Sequence, residues 1–293
     1  MSGLMIMKTL KTLNTLKTIK VILIPFFIIM VCLFIITYAN DWRRQGTIFT
    51  CTTFFDFEKH DRWSSFCRAI DAILEKETPE TLSKISRWVV VNEYSEKPKE
   101  DWTRKVREKY PFIEVIQKSE FSKGQAASMN LILDILLPYK YWIHWEDTWY
   151  PRTSCLGRAF TIMDSTNIIQ LQMTQHKEKP NWLDVEEERI HCTDGFCRID
   201  ASKDVSSYMN MSPYGRFEKG VFENWPLYSL LPSINRAAFY RRLGHFSTDP
   251  KLWPIKFEWD YARRWYLAGG TKAVLEDGPV IRKNDHVSTY QKN

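Results

Sequence analysis

Several signatures that would settle the chemistry are missing from the chain. No Asp or Glu precedes Asp41, whereas Lys8, Lys11, Lys17 and Lys20 all fall in that stretch. These lysines take four of the six net positive charges, so the rest of the chain carries only about +2 and has no nucleic-acid footprint. No G-x-G-x-x-G follows the first strand candidate, which disfavours a dinucleotide oxidoreductase, and no G-x-x-x-x-G-K-[ST] phosphate loop occurs. The six histidines, His60, His144, His176, His191, His245 and His286, never stand as H-x-H or H-x-D, which counts against a metal-dependent phosphodiesterase. Cys192 and Cys197, with His191 alongside, form a single C-x4-C without the second pair that a structural zinc site needs.

What is present begins with an apolar run. Val21 to Tyr38 is 18 residues long and uncharged, enough to cross a hydrocarbon core of roughly 30 Å as a helix. With the lysines before it, the positive-inside bias predicts a cytosolic tail over 1–20, an anchor over 21–38, a linker over 39–46 and a body on the far side. That is a single-pass type II arrangement with a lumenal, Golgi- or ER-like, or otherwise extracytosolic body. A cleaved signal peptide ending near Ala39 is the alternative, although the run exceeds the usual h-region. Cys32 lies in the span, which leaves an odd number of body cysteines: Cys51, Cys67, Cys155, Cys192 and Cys197. Cys192 and Cys197 flank Thr-Asp-Gly-Phe, a hairpin signal, so a bridge across that turn suits an oxidising lumen. The sequon Asn210-Met211-Ser212 fits the same side of the membrane.

Strand and helix patterns alternate through the first half of the body. Strands are predicted over 47–55, 86–95, 112–118 and 139–145, and helices over 61–76, 100–110 and 124–137. Near-continuous apolar strands such as Trp88 to Val91 require a sheet covered on both faces. The expectation is therefore an α/β body with a Rossmann-like sheet flanked by helices, binding its ligand beyond the carboxyl ends of the strands. Asn92 and Glu93 end the second strand, and Glu146 and Asp147 end the fourth, so all four fall on one rim. Two adjacent rim carboxylates are costly to desolvate without a cation, and hard oxygen ligands suit Mg2+ or Mn2+. The structural alternative makes Asp147 the cap of a helix starting near Pro151.

Residues 121–134, "FSKGQAASMNLILD", resemble the K-G-x-A-x-A-x-N helix of nucleotide-sugar glycosyltransferases with the GT-A fold, family 2-like, and they precede a strand ending in acids, as in those enzymes. Residues 225–246 are similar to the acceptor-side segment of the same enzymes. "FEWDYARRWYLAGG", 257–270, resembles their acidic motif followed by Arg, and "DHVSTY", 285–290, supplies a His after the last strand. The resemblance implies a GT-A mixed sheet, with a nucleotide-sugar half over 47–150 and an acceptor half over 151–293.

It further implies transfer of a sugar from a nucleoside-diphosphate donor, UDP being the commonest, to a hydroxyl on a glycan, protein or lipid, with inversion. Thr52, Asn92, Glu93, Lys123, Asn130 and Glu146 form the implied donor set. Asp147, Glu146 and His286 would hold Mn2+ or Mg2+, and Asp260 would be the general base with Glu258 its competitor. Two positions apart on a helix, Glu258 and Asp260 point different ways, so only one can face the acceptor. The family's metal motif is D-x-D, whereas Glu146-Asp147-Thr148 sets Thr148 at the second acidic position. A membrane-anchored protein that binds sugar nucleotides or glycans without turnover is the rival reading. Trp145, Trp149, Trp182, Trp225, Trp253 and Trp259 are candidates for sugar-stacking walls or for the core.

Overall fold

The computed structural model describes residues 46–174, 189–193, 195–201, 226–252 and 256–282. The span Val21–Tyr38, the sequon at Asn210, His286, Trp182, Trp225 and Trp253 lie outside them. No helix among the described residues is long and apolar enough to cross a membrane. From Gly46 onward the chain forms one compact unit.

The alternating pattern of the first half folds as the sequence predicts. The strands are β1 (Thr47–Thr53), β2 (Ile85–Asn92), β3 (Ile113–Gln117) and β4 (Tyr141–Glu146). Between them come α1 (Arg62–Lys76), the short α2 (Pro79–Ser83), α3 (Trp102–Lys109) and α4 (Gln125–Asp134). Local chemistry sets the helix starts. The Asp61 carboxylate accepts from Ser64 N at 2.9 Å to open α1, and Asp101 accepts from Arg104 N at 3.0 Å to open α3. Gly124 opens α4 at φ 92°, a left-handed conformation that suits glycine.

The second half adds β5 (Trp149–Pro151), α5 (Leu156–Ser165), β6 (Gln170–Gln172), β7 (Ile190–Thr193), β8 (Phe196–Ile199), β9 (Ser233–Arg236), α6 (Ala237–Leu243), α7 (Lys256–Leu267), β10 (Lys272–Leu275) and β11 (Val280–Arg282). Among the described residues nine strands make one mixed sheet in the order β3-β2-β1-β4-β9-β6-β10-β8-β7, and β5 pairs with β11 in a separate ribbon. β1 is parallel to both β2 and β4, with Thr52 opposite Val91 on one side and Glu146 on the other. β4 then meets β9 antiparallel. The chain moves outward from β1 to β2 and β3, then returns to the other side of β1 for β4. This reversal places a topological switch point, and hence a crevice, at the carboxyl ends of β1 and β4.

Strand alternation sorts the core into two layers. Phe49, Val90, Tyr141, Ile143 and Trp145 pack with Phe66, Ile70 and Phe160 on the face covered by α1, α3 and α5. Ile48, Val89, Val91 and Trp142 pack with Met129, Ile132, Tyr240, Trp259 and Trp265 on the face covered by α4, α6 and α7. Trp145, Trp149 and Trp259 are core residues, so none of them walls a sugar site. Cys192 and Cys197 are directly opposed on the β7–β8 hairpin and form the expected disulfide.

Candidate active site

At the switch point the chain turns from β4 into β5 through Asp147 and Thr148. Successive side chains of a strand project to opposite faces, and the two neighbouring carboxylates obey that rule. Glu146 continues the Trp142 and His144 side. It accepts from Gln125 Nε2 at 3.3 Å, in the first turn of α4, and from Trp149 Nε1 at 3.1 Å, and it stays half-buried. Asp147 turns towards α1. Its Oδ1 accepts from Arg62 Nη1 at 3.0 Å and its Oδ2 from Thr53 Oγ1 at 2.7 Å, with both charged side chains 5% exposed. Burial pushes the Asp147 pKa up to about 6, against the opposing pull of Arg62 and of the Thr53 hydroxyl.

This geometry corrects two expectations. Glu146 and Asp147 do not converge on one ion, and both Asp147 oxygens are already engaged. Among the described residues, no group of three or more His, Cys, Asp or Glu side chains is placed to hold a metal. The described residues therefore offer no ready-made cluster of protein ligands for the divalent cation that the resemblance implies; its third expected ligand, His286, lies outside them. Nor does Asp147 cap a helix. Residues 149–151 are strand, and α5 starts at Leu156, where Glu77 Oε1 accepts from Cys155 N at 2.6 Å and Leu156 N at 2.8 Å.

The donor-side residues are brought to the rim, but several are spent on the scaffold. Asn92 is fully buried; its Oδ1 accepts from Phe55 N at 3.1 Å and its Nδ2 donates to Gln117 at 2.8 Å, which fixes the loop after β1. Glu93 Oε2 accepts from Lys118 Nζ at 2.7 Å and from Gly124 N at 3.0 Å, so this carboxylate already occupies the start of α4. Lys118 is buried and also donates to Gly124 O and Ser128 Oγ. Burial lowers its pKa, and Glu93 offsets part of that. Lys123 is half-exposed, 4.7 Å over the Tyr94 ring and 3.6 Å from Glu96. Thr52 lies on the rim, where its carbonyl accepts from Asp147 N at 3.4 Å. Asn130 does not face the rim: it exchanges two hydrogen bonds with the Phe246 backbone, at 2.9 and 2.7 Å, tying α4 to the loop after α6.

The acceptor-side acids stand at the start of α7 on the same face as Glu146. Glu258 Oε1 accepts from Leu230 N at 3.0 Å. Asp260 Oδ2 accepts from Arg264 Nε at 3.3 Å, and Arg264 is itself fixed on the Leu243 and His245 carbonyls. The two acids diverge, one to the 228–231 segment and one to the loop after α6. Leu230 also links α7 to β4, because its backbone lies beside the His144 ring. The His144 ring has the Leu230 backbone as its one polar neighbour, in a contact too poorly aligned for a regular hydrogen bond; burial pushes its pKa down to about 4 against the pull of that backbone group, so it is neutral at pH 7.

Sequence reasoning missed Arg62, Thr53, Lys118, Gln125 and Glu77. Arg62 and Glu77 carry no local signal, since their partners are 85 and 78 residues away. Lys118 was legible in part: it ends a predicted strand and precedes the Lys-Gly helix.

No family model matches the chain, and no curated protein matches it in sequence. Solved structures do resemble it. GalNAc-T7 with UDP, GalNAc and Mn2+ matches 82% of this chain and 45% of its own length, with a TM-score of 0.53 at 12% identity. Residues 1–349 of S. aureus TarS match 79% of this chain and 58% of theirs, at 0.48 and 14%. A mannosyltransferase from Pyrobaculum calidifontis, in complex with GDP-Man and Mn2+, matches 70% and 48%, at 0.42 and 15%. The chain thus spans about half the length of these proteins. Of the three, GalNAc-T7 is the one above 0.5, and at such low identity the likeness establishes the architecture: a GT-A-like α/β fold with a large mixed sheet flanked by helices.

Proposed function

We propose that the chain is a glycosyltransferase that moves a sugar from a nucleoside-diphosphate donor, UDP-linked in the first instance, to a hydroxyl of a glycan, protein or lipid, with inversion. The observation that carries this reading is two kinds of acid on one face of the sheet. Half-buried Glu146 stands beside the start of α4 at the β1–β4 switch point, and Glu258 and Asp260 open α7 on the same face of the sheet. The donor lies along the rim with its diphosphate near Lys123, whose exposed ammonium can leave Glu96 for a phosphate oxygen. Asp260 takes the acceptor proton. Arg264 holds its Oδ2, and no described residue bonds Oδ1, which leaves one oxygen to accept. Glu258 holds the 228–231 segment in place.

The body is anchored by Val21–Tyr38 in type II topology and faces an oxidising lumen, a reading that the Cys192–Cys197 bridge supports. Protease digestion of intact vesicles should leave residues 45–293 protected; a released, shortened body would mean a cleaved signal peptide. The activity is tested with a panel of nucleotide sugars, read by thermal stabilisation and by release of nucleotide. One or more donors should stabilise the protein and be consumed. Stabilisation without turnover for any acceptor class would favour the second reading, a binding protein, which the closed Asp147–Arg62 pair and Thr148 in the acidic motif also favour. No stabilisation by any nucleotide sugar would refute the transferase and the sugar-nucleotide binder alike, and stabilisation by a glycan alone would leave the glycan-binding form of the second reading.

A further inference from the structure

The Asp147 side of the rim is where this chain parts from a metal-binding arrangement. Arg62 opens α1, is buried, and directs Nη1 to Asp147 Oδ1, while its guanidinium carbon lies 5.2 Å from the Phe57 ring centre. Thr53, the last residue of β1, fills the other carboxylate oxygen. Removing a carboxylate from such a pair would leave a buried guanidinium, and recruiting it to a cation would strip Arg62 of its counter-charge, a cost of several kcal/mol. Glu146 faces the other side of the sheet and has its own donors in Gln125 and Trp149. A second, partly buried pair, Lys118 with Glu93, resembles the arrangement at the end of β2. Of the three rim acids that could have chelated an ion, Asp147 and Glu93 are answered by a basic side chain of the protein itself, and Glu146 by neutral donors.

We propose that Arg62 is the resident cation of the β1–β4 crevice, that Asp147 is its positioning partner rather than a metal ligand, and that the nucleoside diphosphate binds without Mn2+ or Mg2+. The last clause rests on the glycosyltransferase reading; the first two do not. The experiment separates them.

At pH 7.5 the purified full-length chain is titrated with Mn2+ alone, followed by electron paramagnetic resonance, and with UDP in EDTA or in Mn2+, followed by calorimetry. Wild-type protein should bind no Mn2+ in the micromolar range, and the UDP dissociation constants in EDTA and in Mn2+ should agree within about threefold, well under the tenfold that 1.4 kcal/mol of added binding energy would give. Thermal unfolding of Arg62→Met, Asp147→Asn and the double variant supplies the arm that needs no ligand. Each single change should lower the melting temperature, and the double variant should recover much of the loss, because it removes both buried charges together. Stoichiometric Mn2+ binding to wild type that Asp147→Asn abolishes overturns the proposal, as does tenfold tighter UDP binding in Mn2+ from any ligand set. Strictly additive single losses in the double variant also overturn it. If UDP binds under neither condition, the functional reading fails, and Mn2+ titration with the stability cycle still decides whether Arg62 or a metal ion answers Asp147.

Discussion

The two faces of the central sheet meet the rim in opposite ways. On the α1, α3 and α5 face, apolar packing runs up to the end of β4 and closes with Asp147, Arg62 and Thr53, whose polar groups satisfy one another. On the α4, α6 and α7 face, the same strand ends with His144, whose ring has only the Leu230 backbone as a polar neighbour, and with half-buried Glu146, on the side of the sheet that α7 and its acids cover. One face closes on a satisfied ion pair, and the other ends in a half-buried acid without a charged partner among the described residues. Adjacent residues of one strand thus take opposite tasks, because a strand sends neighbours to opposite sides.

The largest effect expected from this contrast lies on the α7 face. Asp260→Asn keeps the shape and the Arg264 contact but removes the basic lone pair. Transfer should fall by about 10²–10⁴-fold with donor affinity nearly unchanged, and the wild-type product should have the inverted anomeric configuration. Rate is read by release of nucleotide and configuration by NMR of the product. Retained configuration would remove the need for a base at this position.

Stability against pH sets the faces against each other directly. Asp147 holds its proton more tightly in the folded than in the unfolded chain, so between pH ~4 and ~6 the folded state binds more protons and stability falls as pH rises. His144 holds its proton less tightly when folded, so between pH ~4 and ~6.5 stability rises with pH. Each term is worth about 3 kcal/mol, and in the wild type they nearly cancel. Urea unfolding at pH 4.5, 5.5 and 6.5 should show, relative to wild type, a steeper rise with pH in Asp147→Asn and a fall in His144→Phe. Parallel profiles in all three proteins would show that neither group titrates as its burial requires.

The sequence was far more informative about one half of the sheet than the other. β1 to β4, α1, α3 and α4 stand within a few residues of their predicted places, because each is a long apolar or amphipathic segment and Asp61 and Asp101 cap two of the helices; the short α2 was not predicted. β6, β9, β10 and β11 are three or four residues long and are strands only because longer neighbours hold them, so no local period announces them. The site divided the same way. The rim position of Asn92, Glu93, Glu146 and Asp147 followed from strand ends, but their partners did not. Asn92 and Glu93 looked like donor ligands and are braces; Asn130 looked rim-facing and instead clamps Phe246. The divergence of Glu146 and Asp147 was available from strand alternation alone, and the pull of an acidic pair towards a metal concealed it.

The smallest expected effect tests whether the α7 face has one base or two. Glu258 accepts from Leu230 N, and glutamine can still accept there through its amide oxygen, so Glu258→Gln should lower stability by less than about 1 kcal/mol and transfer by less than about tenfold. Glu258→Ala leaves the Leu230 N–H without its acceptor and should cost about 1–3 kcal/mol, loosening the segment that links α7 to His144 and raising KM more than it lowers kcat. A brace predicts this ranking, with alanine worse than glutamine and binding affected before turnover. A base predicts the reverse pattern: glutamine as damaging as alanine, and kcat lost with KM unchanged. If Glu258→Gln loses transfer by 10²-fold or more while Asp260→Asn keeps it, the two acids exchange roles; inversion survives, and the proton goes to the acid beside Leu230 instead of the one held by Arg264.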